Sequence, residues 1–365
     1  MPNFAPTEEQ EEIRNLARSL ALEQLRPRGR VAEHQGDSAP ELMRTLAETG
    51  LTTPFPEQFG GSGAIEAVTY TLIAEELGFG DGALAMNIIG SLMGPLTVML
   101  AGSEEQQRAY IPPFCDPRSG AAQRGSLAFA ERTGGYELAD VNASARKDGD
   151  RYIVNDTKRD VIHGAGSSPR VALLRIEGTA DHGGLCALMI PDQAGGLQVR
   201  SDAQKLGLIA APSASFEFNN TAISASCMLG EPGNSGVVRA AALYTILRAG
   251  IACGMARAAL EYATNYARDR IAFGRPIASY QGIAFLVAEM AMKLDAARLY
   301  AWRAATEWDG DVAIDTLVKD AEAAQSQAVK VAKSATIDAV QVMGGAGFIQ
   351  DHPVEMWMRN AAAME

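Results

Sequence analysis

The chain has 365 residues, of which 47% are hydrophobic and 21% are charged, and its formal net charge is −12. At about 150 residues per domain this length predicts two or three domains, and the composition is typical of folded proteins. The negative charge excludes the basic surface that nucleic acids and anionic membranes select, so we expect neither as a partner, and an anionic ligand would need local arginines or backbone N–H groups.

The cysteines and histidines show no chelating or redox motif. The four cysteines form no CxxC pair, and the four histidines form no HExxH. Both observations predict buried thiols in a reducing compartment and no metal centre. Residues 1–12 are polar and lack the apolar segment of a signal peptide, so we expect a cytoplasmic protein.

Residues 1–122 are predicted to form a helical domain. Thr7 with Gln10, and Ser103 with Gln106, have the spacing of capping boxes, in which each side chain bonds the backbone of the other residue. We therefore expect helices to begin after Thr7 and after Ser103, and the second to stop at residues 112–113, which are both proline.

An uncharged run within this domain, residues 82–103, is long enough to cross a bilayer. It contains Asn87 and Pro95, however, and its flanks are Asp81 and Glu104 rather than lysine or arginine. We interpret it as a buried pair of helices in the protein core.

Residues 123–232 are predicted to form a small β-barrel or β-sandwich domain. Asp148-Gly149 supplies the positive φ that a tight hairpin turn needs. Seven short β-rich segments, several of them bounded by Gly, Asp or Pro, are the expected strands: 126–130, 142–146, 151–155, 171–176, 185–190, 197–200 and 215–219.

Residues 233–365 are predicted to form a four-helix bundle, which makes the fold class α+β and mainly α. Alanine-rich runs around 252–267 and 321–339 favour close helix packing. One predicted helix carries an apolar face at helical spacing, made by Ile283, Leu286, Val287, Met290, Leu294 and Ala297.

This order of domains, and short motifs along nearly the whole chain, resemble the acyl-CoA dehydrogenase family. Residues 56–61, Pro-Glu-Gln-Phe-Gly-Gly, are similar to a loop of its N-terminal domain. Residues 270–277, Arg-Ile-Ala-Phe-Gly-Arg-Pro-Ile, and 341–348, Gln-Val-Met-Gly-Gly-Ala-Gly-Phe, are similar to its most specific C-terminal motifs.

The resemblance implies FAD-dependent oxidation of the α–β bond of an acyl-CoA thioester to the 2-enoyl-CoA, with electron-transfer flavoprotein as acceptor. It further implies a homodimer or homotetramer, in which a neighbouring subunit completes each FAD site. The residues matching those that hold the pyrophosphate and adenosine of FAD are Arg270, Phe273, Gln281, Gln341, Gly344 and Gly345. Arginine suits a phosphate, and glycines let the backbone approach a flat ligand.

At the flavin ring the sequence departs from the family. Ala130 stands in place of a threonine, Tyr136 in place of a small serine, and residues 160–162, Asp-Val-Ile, in place of Trp-Ile-Thr. The expected contacts to the ring are therefore backbone N–H groups, which survive substitution, at Phe129, Ala130, Val161 and Ile162.

The sequence identifies no catalytic base. The family places a glutamate in a loop shortly after the arginine that matches Arg359, beyond Glu365, or directly before the one that matches Arg248, where position 247 is leucine. Arg248 is the expected support on the substrate side. Glu365 falls about one helical turn before the expected loop, and we interpret it as a solvated helix residue.

Three functions remain open at this point. The first is an FAD-dependent acyl-CoA dehydrogenase whose loop with the catalytic glutamate lies beyond Glu365. The second is a catalytically degenerate subunit that binds FAD at an interface and forms a heterotetramer with a paralogue. The third is a flavin oxidase, a monooxygenase or a dehydrogenase of carrier-protein thioesters with the same fold.

Overall fold

The computed structural model describes residues 5–365 except 117–119, 133–134 and 203. Both predicted capping boxes are confirmed, because Thr7 and Gln10, and likewise Ser103 and Gln106, exchange side-chain-to-backbone hydrogen bonds. A π-turn at Ala21–Leu25 joins the first two helices. The N-terminal part contains α1 Glu8–Leu20, α2 Arg26–Gln35, α3 Pro40–Glu48, α4 Ala67–Gly80, α5 Gly82–Ala101, α6 Glu104–Tyr110 and α7 Pro112–Cys115.

The uncharged run forms one buried helix, α5, and not the expected pair. Pro95 lies inside it, and a proline cannot donate the hydrogen bond to the carbonyl four residues earlier. That carbonyl, of Ser91, instead accepts from the backbone N–H of Gly125 at 2.8 Å. A Cβ on Gly94 would lie 2.6 Å from the backbone nitrogen of Ser126. The helix therefore continues because the β domain docks directly on it at Pro95 and Gly94.

The central part is one mixed sheet of seven strands, in the order β1-β4-β2-β3-β7-β6, with β5 paired to β4. Each of the seven predicted segments is a strand, and the turn at Gly149 has the predicted positive φ of 61°. β3 and β7 are longer than predicted because each continues across the other through two register shifts. The strands are β1 Ser126–Ala128, β2 Ser144–Asp148, β3 Arg151–Ile162, β4 Arg170–Ile176, β5 Leu185–Met189, β6 Leu197–Ser201 and β7 Ser213–Ser224.

The C-terminal part is the predicted bundle of helices. Of the expected apolar face on the second of them, Met290, Leu294 and Ala297 are buried. A two-stranded hairpin, β8 Ile271–Ala272 and β9 Arg275–Pro276, joins the first two helices. The helices are α8 Ser235–Asp269, α9 Gln281–Asp309, α10 Ile314–Met343 and α11 Val354–Ala362.

Two helices, α5 and α8, are long and apolar enough to span a membrane by length and composition, within the part of the chain that the structure describes. Both are mostly buried, as core helices are. Among the same residues no group of His, Cys, Asp and Glu is arranged to hold a metal ion. All four cysteines are free thiols; Cys227 is only half-buried, whereas burial of all four was expected.

Candidate functional site

A cavity of about 600 Å³ lies where the three parts of the chain meet. β3 contributes Asp160 and Ile162, α5 contributes Met86, and α8 contributes Arg248. The remaining lining residues come from the loop after β1, from the segment that leads into β7, from α10 and from the C-terminal end: Tyr136, Lys205, Leu206, Gly207, Leu208, Ser213, Ile337, Met358, Arg359, Ala362, Ala363 and Glu365.

Arg248 is the most deeply buried charge in the wall of this cavity. Arg248 is only 2% exposed to solvent, and one of its Nη groups donates a hydrogen bond to the carbonyl of Met364 at 2.7 Å. Its Nε has no hydrogen-bond partner, and no carboxylate of the described residues lies within ion-pair distance. Its guanidinium is placed 3.6 Å from the ring centroid of Tyr136 and 5.8 Å from that of Tyr244. A buried cation held by aromatic rings favours negative charge on a ligand in the cavity.

Tyr136 and Tyr244 form an aromatic cluster with Phe129 beside this arginine. The Tyr136 ring packs edge-on against Phe129 at 5.5 Å and against Tyr244 at 5.7 Å. Burial raises the pKa of both tyrosine hydroxyls, so both remain protonated near neutral pH. Sequence analysis identified Tyr136 as a departure from the family but missed Tyr244, because one tyrosine in a long apolar helix carries no local signal.

The four residues predicted to face a flavin ring do not all line the cavity. Ile162 lines it, whereas Phe129, Ala130 and Val161 are buried beside it. The carbonyl of Ala130 accepts from the N–H of Arg159 at 2.9 Å, which fixes this segment against β3. Thr133 and Gly134, in the same loop, lie outside the described residues.

Buried Lys158 holds the segment 129–131 in place. Its Nζ donates to a carboxylate oxygen of Glu131 at 2.6 Å and to the carbonyl of Phe129 at 3.0 Å. The same carboxylate accepts from the backbone N–H groups of Asn142 and Ala143. Burial lowers the pKa of Lys158, and the carboxylate of Glu131 opposes that shift. This buried ion pair therefore positions the backbone that the sequence assigned to the flavin ring.

Among the residues that the structure describes, two carboxylates line the cavity, and neither is buried. The Asp160 side chain is 56% exposed, and its backbone has a positive φ of 53° at the end of β3. Glu365 is 50% exposed, and Lys333 donates to its carboxylate at 2.6 Å. Glu365 was expected in a helix, but α11 ends at Ala362, so it follows the helix. Its predicted solvent exposure is confirmed.

The second predicted group of FAD residues lies elsewhere, at one end of the bundle. Arg270 follows the end of α8, Gln281 opens α9, and Gln341 lies in the last turn of α10. Successive antiparallel helices bring these termini together. Arg248 and Arg270 are 22 residues apart on α8, which is about 33 Å at about 1.5 Å per residue. Arg270 therefore lies far from Arg248 in its own chain, whereas Gln341 lies one helical turn beyond Ile337, which lines the cavity.

The residues at this end are exposed and suited to a flat anionic ligand. Phe273 and Gly274 both have positive φ and form a two-residue hairpin turn that leaves Phe273 96% exposed. Gly344 has φ 57° and ψ −132°, a conformation essentially limited to glycine. A Cβ on Gly344 or Gly345 would meet no atom within 4 Å, so the backbone here is open to a ligand.

These features fit FAD in two halves. The cavity offers a buried cation and an apolar wall for a ring system, and the bundle end offers an arginine, an exposed aromatic ring and an open glycine turn for a dinucleotide. The residue types of the predicted set therefore suit FAD, although Arg270 lies far from Arg248 in its own chain.

Comparison with known proteins identifies relatives along the whole chain. It matches the acyl-CoA dehydrogenase N-terminal domain over residues 7–117, the middle domain over 126–221 and the C-terminal domain over 234–365. An acyl-CoA dehydrogenase of Bacillus subtilis is 30% identical over 97% of this chain and 93% of its own length. A cyclohex-1-ene-1-carbonyl-CoA dehydrogenase of Syntrophus aciditrophicus is 29% identical over 97% of this chain and 85% of its own.

Among solved structures, butyryl-CoA dehydrogenase of Megasphaera elsdenii superimposes with a TM-score of 0.84. It is 26% identical, and the match covers 100% of this chain and 95% of that one. The predicted order of helical, β and helical parts is therefore confirmed by both kinds of comparison.

Proposed function

Because this chain belongs to the acyl-CoA dehydrogenase family, whose members are FAD-dependent oxidoreductases, we propose that it oxidises the α–β bond of an acyl-CoA thioester to the 2-enoyl thioester. The observation that carries the proposal is Arg248, a buried guanidinium without an ion-pair partner among the described residues, in the wall of the cavity. Removal of an α-proton places negative charge on the thioester oxygen, and a fixed cation nearby stabilises that charge. FAD supplies the hydride acceptor when bound.

We infer that FAD binds across two copies of the chain. The cavity of one subunit would receive the flavin ring, and Arg270, Phe273 and Gly344 of a second would hold the phosphates and adenosine. An apolar stripe at seven-residue spacing on α9 supports a subunit contact, because Phe285 and Met292 are each 67% exposed and Leu299 is 46% exposed. Closed symmetry makes a dimer, or a dimer of dimers, the expected assembly.

The decisive experiment is anaerobic addition of single acyl-CoA esters to the purified holoenzyme while the flavin absorbance is recorded. Bleaching by one class of acyl group, with formation of the 2-enoyl-CoA, supports the proposal. Reoxidation by electron-transfer flavoprotein, the proposed acceptor, is measured in the same cuvette. A holoenzyme that bleaches with dithionite but with none of the esters would contradict catalysis by this chain alone.

A specific observation favours a second candidate function, a subunit that binds FAD and leaves the chemistry to a paralogue. Asp160 and Glu365 are the carboxylates that line the cavity among the described residues, and both are at least half exposed. A general base needs a fixed position beside the substrate, and neither carboxylate is buried in the wall, while Glu365 is bound to Lys333. This candidate predicts no bleaching by the chain alone and bleaching after a co-encoded paralogue is added.

A further inference from the structure

Tyr136 separates the 600 Å³ cavity from a second, smaller cavity. The second has a volume of about 180 Å³, and its lining includes Glu137 and Glu322. Tyr136 and Glu365 line both cavities, so the tyrosine ring is part of the wall between them.

Contacts on several sides hold the ring in this position. Phe129 and Tyr244 pack against it edge-on, and the guanidinium of Arg248 covers one face at 3.6 Å. Arg248 is itself anchored on the carbonyl of Met364. Because three buried groups support the ring, Phe129 after β1 and Tyr244 and Arg248 on α8, rotation out of the wall would break all of these contacts.

The two cavities differ in their chemistry. The small one is acidic, since Glu137, Glu322 and Glu365 line it with a single cation, Lys330, among the described residues. Burial raises the pKa of Glu322, as expected where carboxylates are crowded and partly desolvated. Val329 and Met364 add apolar surface. An uncharged hydrocarbon chain can pack along this apolar surface, whereas the three carboxylates disfavour a chain that ends in a carboxylate.

We propose that Tyr136 is a specificity-determining residue, whose ring closes the larger cavity toward the smaller one and restricts this chain to compact acyl groups. This inference rests on the proposed function for the identity of the ligand. Shortening the side chain at position 136 joins the two cavities and creates room for a longer, uncharged acyl chain.

The test compares wild-type holoenzyme with Tyr136→Ala and with Tyr136→Phe, which retains the ring. The probes are 3-thia-acyl-CoA thioesters of increasing chain length, in which sulfur replaces the β-carbon so that no hydride can leave, and Kd is measured by titration calorimetry. We expect Tyr136→Ala to bind longer probes more tightly, by about tenfold for two additional buried methylene groups. Tyr136→Phe should keep the wild-type length preference, and a probe ending in a carboxylate should gain nothing.

Two results would overturn the inference: an unchanged length preference in Tyr136→Ala, or a loss of affinity that is equal at all lengths. Tyr136→Ser is the second variant if alanine destabilises the loop, and FAD content and thermal unfolding report folding. A crystal structure of the alanine or serine variant gives a readout without substrate. Joined cavities in that structure would support the role of Tyr136 as the wall, and cavities that remain separate would refute it. Wild-type enzyme that no acyl-CoA reduces counts against the proposed function alone.

Discussion

Removal of Lys158 should destabilise the protein and loosen the segment that faces the cavity. The Lys158 side chain is fully buried, and its ammonium contacts both the Glu131 carboxylate and the Phe129 carbonyl. Breaking a buried ion pair by deleting one partner costs about 3–5 kcal/mol, because the remaining charge is uncompensated. Glu131 still accepts from the N–H groups of Asn142 and Ala143, so we expect the lower end, about 3 kcal/mol, for Lys158→Met.

Urea unfolding of the purified holoenzyme measures this loss as a change in the free energy of unfolding. Lys147→Met is the matched control, since Lys147 is exposed on the neighbouring strand β2 and should change stability by less than about 0.5 kcal/mol. In the double variant Lys158→Met/Glu131→Gln no buried charge remains, so more than half of the loss should be regained.

A loss below about 1 kcal/mol in Lys158→Met would refute the reasoning, because a surface ion pair costs no more than that. A double variant as unstable as the single one would show that packing, and not the uncompensated carboxylate, sets the cost. FAD content after gel filtration is the second measurement, and we expect it to fall in Lys158→Met and to stay at the wild-type level in Lys147→Met.

Three further predictions concern the ligand site and pH. Arg270→Ala should weaken FAD binding by about 1.5–3 kcal/mol through loss of a charged phosphate contact, whereas exposed Arg268→Ala should not, as fluorescence titration of apoprotein will show. Gly344→Ala should destabilise the protein by about 1–3 kcal/mol because of its backbone angles, while Gly345→Ala, with equal space for a Cβ, should cost less in the same urea assay. Burial lowers the pKa of His163 to about 4, below its unfolded value of about 6.5, so about 3 kcal/mol of stability should be lost as pH falls from 6.5 to 4. His163→Asn should flatten this dependence of the unfolding free energy on pH. An unchanged slope in that variant would contradict the prediction.

Much of the fold was readable from local patterns. A capping box needs only Thr7 and Gln10, three residues apart, and a hairpin turn needs only the glycine at 149, so the conformation follows from neighbours in sequence. The seven strands were also predicted from local patterns, namely short β-rich segments, several of them bounded by turn residues. Their ends were less well predicted, because β3 and β7 extend as far as each finds a partner in the other.

The interpretation of α5 shows where local reasoning stops. The uncharged run was predicted to form a pair of helices, yet α5 is one continuous helix with Pro95 inside it. The N–H of Gly125, 30 residues beyond the proline, satisfies the carbonyl that Pro95 leaves without a donor. No pattern inside the helix encodes this compensation.

The sequence by itself determined the family, the order of the three parts and the residue types suited to FAD, since these depend on short motifs and on periodicity. The tertiary structure alone decided that Arg270 lies at the end of the bundle, about 33 Å from Arg248 along the helix axis, and that Tyr136 contacts Arg248, 112 positions away, in the wall between two cavities. The physical reason is that a cavity is formed by side chains from distant segments, and its shape depends on how those segments pack. Motifs identify which residues are present, and packing decides which of them share a site.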